Sequence, residues 1–305
     1  MNSGIQTDIT RLFDIQYPIL GAPMFLVSNP ALVAAVSNSG GMGNFAAMSY
    51  RTIGDLKAAL HEVRALTVRP FGVNIVLHRE HNPLVREQFE LCLKEKISLI
   101  ITSMGTPRTL IKEAHDHGIK VFCDVTNVKQ ASIVAKCGAD AVIAVCQGAG
   151  GHAGSITPFA LIPQIREAID IPVIAAGAIS RGRQMAAAFM LGASAVYIGT
   201  RFIATPEASA TEEYKSALVD SNPEDIIYSD KISGISANWI RSSYDKWLKF
   251  SEIKNSEKPH EISLRRWIDV WSAGHGVAQI QEIEPVSKIM ENIVSEYHRI
   301  KNGLP

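Results

Sequence analysis

One histidine, His152, stands among four glycines in the segment CQGAGGHAGS. Glycine lets the backbone approach a ligand closely and leaves its N–H groups accessible. Imidazole titrates near neutral pH, so a histidine in this setting can act as a general acid or base, or donate a hydrogen bond to a substrate. We therefore predict that His152 is catalytic. The alternative is a histidine that only braces its own loop.

Two later segments, AAGAISRG and GTRF, place small residues where helices are expected to begin. The free N–H groups and the dipole of a helix N-terminus suit a phosphate group. We predict that the phosphate ligands are Gly177, Ala178, Gly199 and Thr200. Each could instead be an ordinary strand-to-helix turn that needs a small residue.

Weaker signals come from GAPM and FGVN near the N-terminus. Ala22, Pro23 and Met24 could form a wall against an aromatic cofactor, and Asn74 could hydrogen-bond to its polar edge. Met24 could also be a core residue, which is the commoner role of methionine beside an apolar strand. The sequence contains no HExxH motif and no convincing metal-ligand cluster, so we predict no metal site.

These segments follow strands in a repeating pattern from Pro18 to about Ile203, where short apolar runs alternate with amphipathic segments. Such alternation is typical of βα units and a parallel sheet. Eight units favour a closed (β/α)₈ TIM barrel of the α/β class, whose site lies at the C-terminal ends of its strands. An open doubly wound sheet is the alternative, but no GxGxxG or Walker loop follows the first strand.

The pattern changes after Thr205, where aromatic, serine and charged residues mix without strand alternation. We predict a barrel at residues 1–208, a small helical cap at 209–272, and a C-terminal return to the barrel at 273–305. The last segment contains an amphipathic helix, from about Pro285 to Ile300.

The charge balance excludes several kinds of partner. The 305 residues include 30 basic and 30 acidic side chains, which gives a net charge of zero. Binding to nucleic acid or to an anionic membrane depends on clustered Lys and Arg, so we predict neither partner and expect a small-molecule substrate. Four cysteines without metal-type spacing fit a reducing compartment, and no apolar run is long enough to span a membrane. The cytoplasm is the expected location.

Read together, five ordered motifs resemble the nitronate monooxygenase family, formerly 2-nitropropane dioxygenases. The family also contains enoyl-thioester reductases and NAD(P)H:quinone reductases. The resemblance covers most of the chain. Its motifs are YPILGAPM followed by LVAAVSNSGGMGNF, PFGVNI, AGGHAG, IPVIAAGAISRGRQMAAAFMLGASAVYIGTRFIATPEA, and WSAGHGVAQI.

This resemblance implies a non-covalent FMN, with NAD(P)H as a possible co-substrate and a homodimer as the family-level expectation. In the family, the flavin accepts an electron from an anionic nitronate, and dioxygen then gives a carbonyl compound and nitrite. The histidine matching His152 serves as base when the substrate is a neutral nitroalkane. The residues that match FMN contacts are Ala22, Pro23, Met24, Asn74, Gln147, Gly151, Gly177, Ala178, Gly199 and Thr200.

The chain departs from the family pattern at three positions. Gly148 replaces a frequent glutamate, Ala178 replaces a glycine, and His275 replaces the glutamine of the usual AGQG. His275 is therefore a second candidate active-site histidine. The segment DIIYSDKISGISANWIRSS, which contains the candidate substrate residue Ser233, is closer to a subgroup thought to act on CoA thioesters.

Three functions remain open on this basis. The first is oxidation of alkyl nitronates with dioxygen. The second is an NAD(P)H-dependent reductase of enoyl thioesters or quinones, or a CoA-thioester dehydrogenase, on the same FMN barrel, because fold alone does not fix chemistry. The third is a barrel that binds a phosphorylated ligand without turning it over.

Overall fold

A computed structural model describes residues 4–78, 80–254 and 264–303. Eight parallel strands form one sheet, and a bridge between Leu20 and Met42 joins its two ends. The predicted (β/α)₈ barrel is thereby confirmed. The barrel strands are β1 Ile19–Gly21, β2 Gly43–Ala46, β3 Phe71–Val76, β4 Leu99–Ser103, β5 Lys120–Val125, β6 Ala141–Val145, β8 Val173–Ala176 and β9 Ala195–Ile198; β7, Gly151–His152, lies outside the barrel.

Helices alternate with the strands and surround the barrel. Several start at side-chain caps; Asn29, for example, accepts a hydrogen bond from the Leu32 N–H at the start of the helix Pro30–Asn38. The helices are α1 Asp8–Phe13, α2 Pro30–Asn38, α3 Ile53–Leu66, α4 Val85–Lys94, α5 Arg108–Asp116, α6 Val128–Lys136, α7 Pro158–Ala168, α8 Gly182–Met190, α9 Thr200–Ile203, α10 Glu212–Val219, α11 Arg241–Lys254 and α12 Val286–Gly303.

The barrel interior is filled with apolar side chains and closed at its N-terminal end. Ile9 of α1 and Ile15 just after it belong to the same buried cluster as the inward-facing residues of the strands. The Phe13 ring packs edge-on against the Phe122 ring, with 5.7 Å between centroids. Ligand space therefore lies at the opposite end, where barrel enzymes place their active sites.

The cap contains the expected helices α10 and α11, and also a small sheet that the sequence pattern did not indicate. Strand β10, Ile226–Ser229, pairs antiparallel with β11, Ala237–Ile240, and β11 pairs with β7. The cap is thus mixed rather than purely helical. Its strands are four residues long, too short to show a clear alternation, and residues 255–263 of the predicted cap lie outside the described residues.

The last helix, α12, packs against α8 and α2 on the outside of the barrel. Close approach to α8 depends on Gly182, because a side chain there would overlap the backbone of Ile293. Glu296 of α12 pairs with Arg183 of α8 at 2.8 Å. The predicted C-terminal helix is confirmed as α12. The domain boundaries at residues 208 and 272 stay predictions.

Candidate active site

A cavity of about 850 Å³ opens at the C-terminal ends of the barrel strands, next to the cap. Small-molecule and cofactor sites commonly have volumes of ~300–1,000 Å³. Its wall brings together all but two of the site residues predicted from the sequence. Those in the wall are Ala22, Pro23, Met24, Asn74, Gly151, His152, Gly177, Ala178, Gly199, Thr200 and Ser233; Gln147 and His275 are not.

The floor of the cavity is the uppermost layer of side chains inside the barrel. Asn74 of β3, Asp124 of β5, Ala176 of β8 and Tyr197 of β9 line it. The Asp124 Oδ1 atom and the Tyr197 hydroxyl are buried and have no hydrogen-bond partner. Leaving a buried polar atom unpaired costs about 1–3 kcal/mol, which a ligand with a polar edge can offset. The floor therefore fits a flat ligand that carries hydrogen-bonding groups.

His152 is held in the cavity wall by the cap sheet. Its backbone forms β7, which pairs with β11 through the register His152 to Ala237. The His152 Nε2 lies 3.3 Å from the Ser233 Oγ, and the Ser233 hydroxyl donates to the Ile235 carbonyl at 2.8 Å. Because the hydroxyl proton is used there, we assign the Nε2 as the donor to Ser233. The Nδ1 of His152 then keeps its lone pair and can accept a proton.

An aromatic side chain from the cap covers the His152 ring. The Trp267 ring meets the His152 ring edge-on, with 5.2 Å between centroids, and Trp267 in turn packs against the buried Trp239 at 4.4 Å. The backbone of Trp267 is left-handed, with φ of 66°, a conformation that is strained for a bulky residue. Strain of this kind collects at functional sites. We name His152, Ser233 and Trp267 the histidine wall.

The environment of His152 favours its neutral form. The residue keeps accessible surface towards the open cavity, yet protein atoms crowd its ring, and this burial lowers the pKa of the imidazole. The charge of His81, which also lines the cavity, lowers the pKa further. Near neutral pH, His152 is therefore a base rather than an imidazolium.

Two side chains outside the cavity wall brace the loop that carries His152. The buried Asn238 of β11 donates from its Nδ2 to the Ala149 carbonyl at 2.7 Å. The Tyr228 hydroxyl of β10 donates to the Ala153 carbonyl at 3.0 Å. Both bonds link the cap sheet to the loop after β6, so the cap sets the position of the histidine.

A second part of the wall is made of backbone, where three loops meet. We name it the glycine cluster, and its members are Gly148, Gly150, Gly177, Gly274 and Gly276. A side chain on Gly274 would overlap the Gly148 carbonyl oxygen, and one on Gly177 would crowd the Ala149 N–H at 3.2 Å. Gly177 also has φ of 128°, which only glycine adopts readily. These loops can touch only because glycine stands at the points of contact.

Ala178 and Thr200 are the two predicted phosphate ligands beside the glycine cluster that carry side chains. Ala178 has φ of 56°, which is strained for alanine, and its N–H donates to the Gly148 carbonyl at 3.2 Å. The Thr200 Oγ1 accepts from the Gly274 N–H at 2.9 Å, which leaves the Thr200 hydroxyl proton for a ligand. A small, donor-rich surface of this kind suits an anionic group.

Gln147 and His275 lie outside the cavity wall. Gln147 is exposed, and its backbone N–H donates to the Ile156 carbonyl at 2.8 Å. His275 sits between two glycines of the wall, and its Nδ1 would lie 3.0 Å from a Cβ at Gly148. Two of the departures from the family pattern, Gly148 and His275, are therefore linked. The His275 ring occupies space that a side chain at position 148 would need.

Four further residues of the site were not predicted from the sequence: Asp124, Tyr197, Trp267 and Asn238. The signal for Asp124 was present, since an acidic residue interrupts the apolar run VFCDV at the end of a barrel strand. Burial raises the pKa of Asp124 to about 7. The tryptophan and asparagine gave no signal, because their partners in the His152 loop are more than eighty residues away along the chain.

No group of His, Cys, Asp and Glu side chains that could hold a metal ion occurs within residues 4–78, 80–254 and 264–303. The four cysteines are free thiols, and burial raises the pKa of the Cys92 thiol. Over the same described ranges, no helix is both long and apolar enough to cross a membrane.

Comparison with known proteins identifies one family. The model of the nitronate monooxygenase family matches residues 6–89 and 83–296. A probable nitronate monooxygenase of Staphylococcus aureus is 29% identical, over 96% of this chain and 97% of the relative. Among solved structures, FabK from Thermotoga maritima superposes with a TM-score of 0.88 and 35% identity, over 98% of each chain.

A further relative differs in its reaction. The (3aS,4S,5R,7aS)-5-hydroxy-7a-methyl-1-oxo-octahydro-1H-indene-4-carboxyl-CoA dehydrogenase of Rhodococcus jostii is 34% identical over 233 residues. This match covers 76% of the present chain but only 65% of the length of that relative. Proteins similar to this chain are thus named for more than one substrate.

Proposed function

The chain belongs to the nitronate monooxygenase family and is an oxidoreductase enzyme, and on that premise we propose that it uses FMN to oxidise alkyl nitronates with dioxygen. A barrel that binds without turnover does not fit membership in a family of oxidoreductases. The single observation that carries the proposal is the position of His152, whose pKa is lowered by burial, beside a cavity whose floor and glycine cluster together suit a flat, phosphorylated cofactor. Cytoplasmic location and a homodimer stay predictions.

FMN would be held by two kinds of surface. The glycine cluster, with Ala178 and Thr200, offers N–H and hydroxyl donors for the phosphate. Asn74 at the floor offers an amide to the polar edge of the ring, because its Nδ2 makes only long contacts, at 3.3 and 3.4 Å, within the protein. The bound cofactor would supply electron transfer, and the protein supplies position and electrostatics.

His152 has the role of a base towards a neutral nitroalkane. Its Nδ1 removes the proton from the carbon next to the nitro group, and Ser233 holds the opposite side of the ring through the Nε2. The lowered pKa keeps the Nδ1 free of a proton at neutral pH. An anionic nitronate has already lost this proton, so its oxidation does not need the base.

A second candidate is a dehydrogenase or reductase of acyl-CoA thioesters that uses the same cavity. It is favoured by the 34% identity to the Rhodococcus jostii carboxyl-CoA dehydrogenase and by Arg266, a cation in the cavity wall. NAD(P)H would then be a co-substrate of the reductase.

The deciding experiment is an anaerobic stopped-flow measurement on the purified protein. The protein is mixed separately with propionate 3-nitronate, NADH and NADPH, and the absorbance of the oxidised flavin is followed. Bleaching by the nitronate alone supports nitronate oxidation. Rapid bleaching by a nicotinamide but not by the nitronate contradicts it and supports the thioester or quinone reductase. A protein that contains no flavin and takes up no added FMN contradicts both.

A further inference from the structure

Asp124 is the acidic side chain in the cavity wall, among the residues that the structure describes. It is the last inward-facing residue of β5 and follows the fully buried Phe122 by two positions. Asn74 of β3 and Ala176 of β8 line the cavity at the same depth. The carboxyl group therefore belongs to the floor on which the ring of a cofactor would lie.

The neighbours of this carboxyl group do not neutralise it. The adjacent strands β4 and β6 present Ile101, Ser103, Ile143 and Val145 towards the barrel interior or the cavity. From β9, Tyr197 faces it with a hydroxyl group that has no partner. The other titratable side chains of the described cavity wall are His81, His152, Tyr214 and Arg266.

Two of these groups near the cavity mouth have partners of their own. The Tyr214 hydroxyl donates to the Ser272 carbonyl, and His152 is bonded to Ser233. The Asp124 Oδ1, by contrast, is buried without any partner. A buried carboxylate in this position is sensitive to any negative charge that appears above the floor, because the low local dielectric strengthens the repulsion.

Resting on the proposed FMN function, we propose that Asp124 takes up a proton when the flavin is reduced. Two one-electron transfers from nitronate substrate, or one two-electron transfer from NAD(P)H, together with one proton convert the oxidised ring into its anionic reduced form. One further proton from solvent converts the Asp124 carboxylate into a neutral acid, which removes the repulsion between two adjacent negative charges. Asp124 is thus a charge-balancing residue, and His152 remains the base.

The first test measures the flavin midpoint potential as a function of pH, since its slope counts the protons taken up with the two electrons. Burial raises the pKa of Asp124 to about 7. Below this pKa the acid is protonated in both states, so the additional proton is taken up only above about pH 7. Above about pH 7 we expect the unaltered holoenzyme to take up two protons for every two electrons, and Asp124→Asn to take up one.

Three further variants identify the group that takes up the proton. Asp220→Asn changes an exposed aspartate at the end of α10 and should keep two protons. His152→Ala and Tyr197→Phe should also keep two. If Asp124→Asn keeps the second proton, or if His152→Ala or Tyr197→Phe loses it, the assignment to Asp124 is wrong.

A second test needs no substitution. The infrared difference spectrum between the reduced and oxidised holoenzyme should show a new band of a protonated carboxyl group, which shifts in heavy water. Absence of this band above about pH 7 contradicts the proposal. Because this test uses the unaltered holoenzyme, it remains valid even if Asp124→Asn loses its flavin. If the protein binds FMN but the midpoint potential has the same pH slope in the native protein and in Asp124→Asn, only this inference fails. If it binds no flavin, the proposed function fails with it.

Discussion

The glycine cluster and the histidine wall differ in the groups that make their contacts. In the glycine cluster, an added methyl group would meet backbone atoms at Gly150, Gly177 and Gly274, and neighbouring side chains at the other two glycines. In the histidine wall, side chains from the His152 loop and the cap contact one another directly. The first surface tolerates almost no change, because peptide groups cannot move aside. The contacts of the second are made by side chains, so we expect substitutions there to affect the chemistry of the site more than the fold.

The largest effect is expected from a methyl group in the glycine cluster. Gly274→Ala places a Cβ against the Gly148 carbonyl, and overpacking of this kind costs about 1–3 kcal/mol. We expect purified Gly274→Ala to have lost most of its flavin and to unfold at lower temperature. The measurements are the flavin-to-protein ratio and the melting temperature.

The matched control is Gly54→Ala in the first turn of α3. Only the Thr52 Oγ1, at 3.6 Å, is near its added methyl group, and alanine favours a helix. This variant should keep its flavin and its stability. Equal flavin contents in the two alanine variants would show that the glycine cluster is not needed for cofactor binding.

The next effect concerns the histidine wall. His152→Ala should keep FMN but lose activity with a neutral nitroalkane by roughly 10²–10⁴-fold, because a general base is removed. Activity with the preformed nitronate should fall much less. His117→Ala is the control, since the His117 ring lies on the exposed end of α5 and bonds to the Glu113 carbonyl. Equal losses with both substrates would rule out the role of base.

A smaller effect is expected in the pH profile with the neutral nitroalkane. The active form of His152 is unprotonated, so kcat/KM should fall as pH decreases through a pKa below the ordinary histidine value of 6.5. His81→Gln removes the nearby charge that lowers this pKa, so the inflection should move up towards the ordinary value. His117→Gln should leave it in place. A pH profile that His81→Gln does not alter would contradict an electrostatic effect of His81 on the pKa of His152.

The smallest effect should be a gain. Ala178→Gly relieves a left-handed alanine beside the glycine cluster and should stabilise the protein by about 1 kcal/mol without loss of flavin. Ala187→Gly, on the exposed face of α8, should instead destabilise it by ~0.5–1 kcal/mol. Denaturant midpoints of the two variants measure the contrast. A destabilised Ala178→Gly would mean that the alanine methyl group has a packing role.

The barrel was predictable because each strand is a short apolar run followed by a recognisable helix. Runs such as VIAAG and AVYIG are buried on both faces, and glycine-rich loops after them mark the cavity. Eleven wall residues follow from this pattern and from the family motifs. His275 and Gln147 show its limit, since neighbours of wall residues in sequence can point away from the cavity.

The cap was not predictable in the same way. Its sheet joins residue 152 to residue 237, and such distant pairing leaves no local periodicity. Its strands are four residues long, and β11 is buried along its whole length by its own small core around Trp239. The edge contact between Trp267 and His152 likewise depends on tertiary packing alone.

The helix α1, which fills the N-terminal end of the barrel, has a kinetic consequence. Because Phe13 and Ile9 close that end, organic ligands reach the floor and leave it through the mouth beside the cap. A nicotinamide and a quinone that both react above the same floor, as in the reductase alternative, would then use this mouth in turn. Initial rates for such a pair should follow a ping-pong pattern, with parallel lines when one substrate is varied at fixed levels of the other.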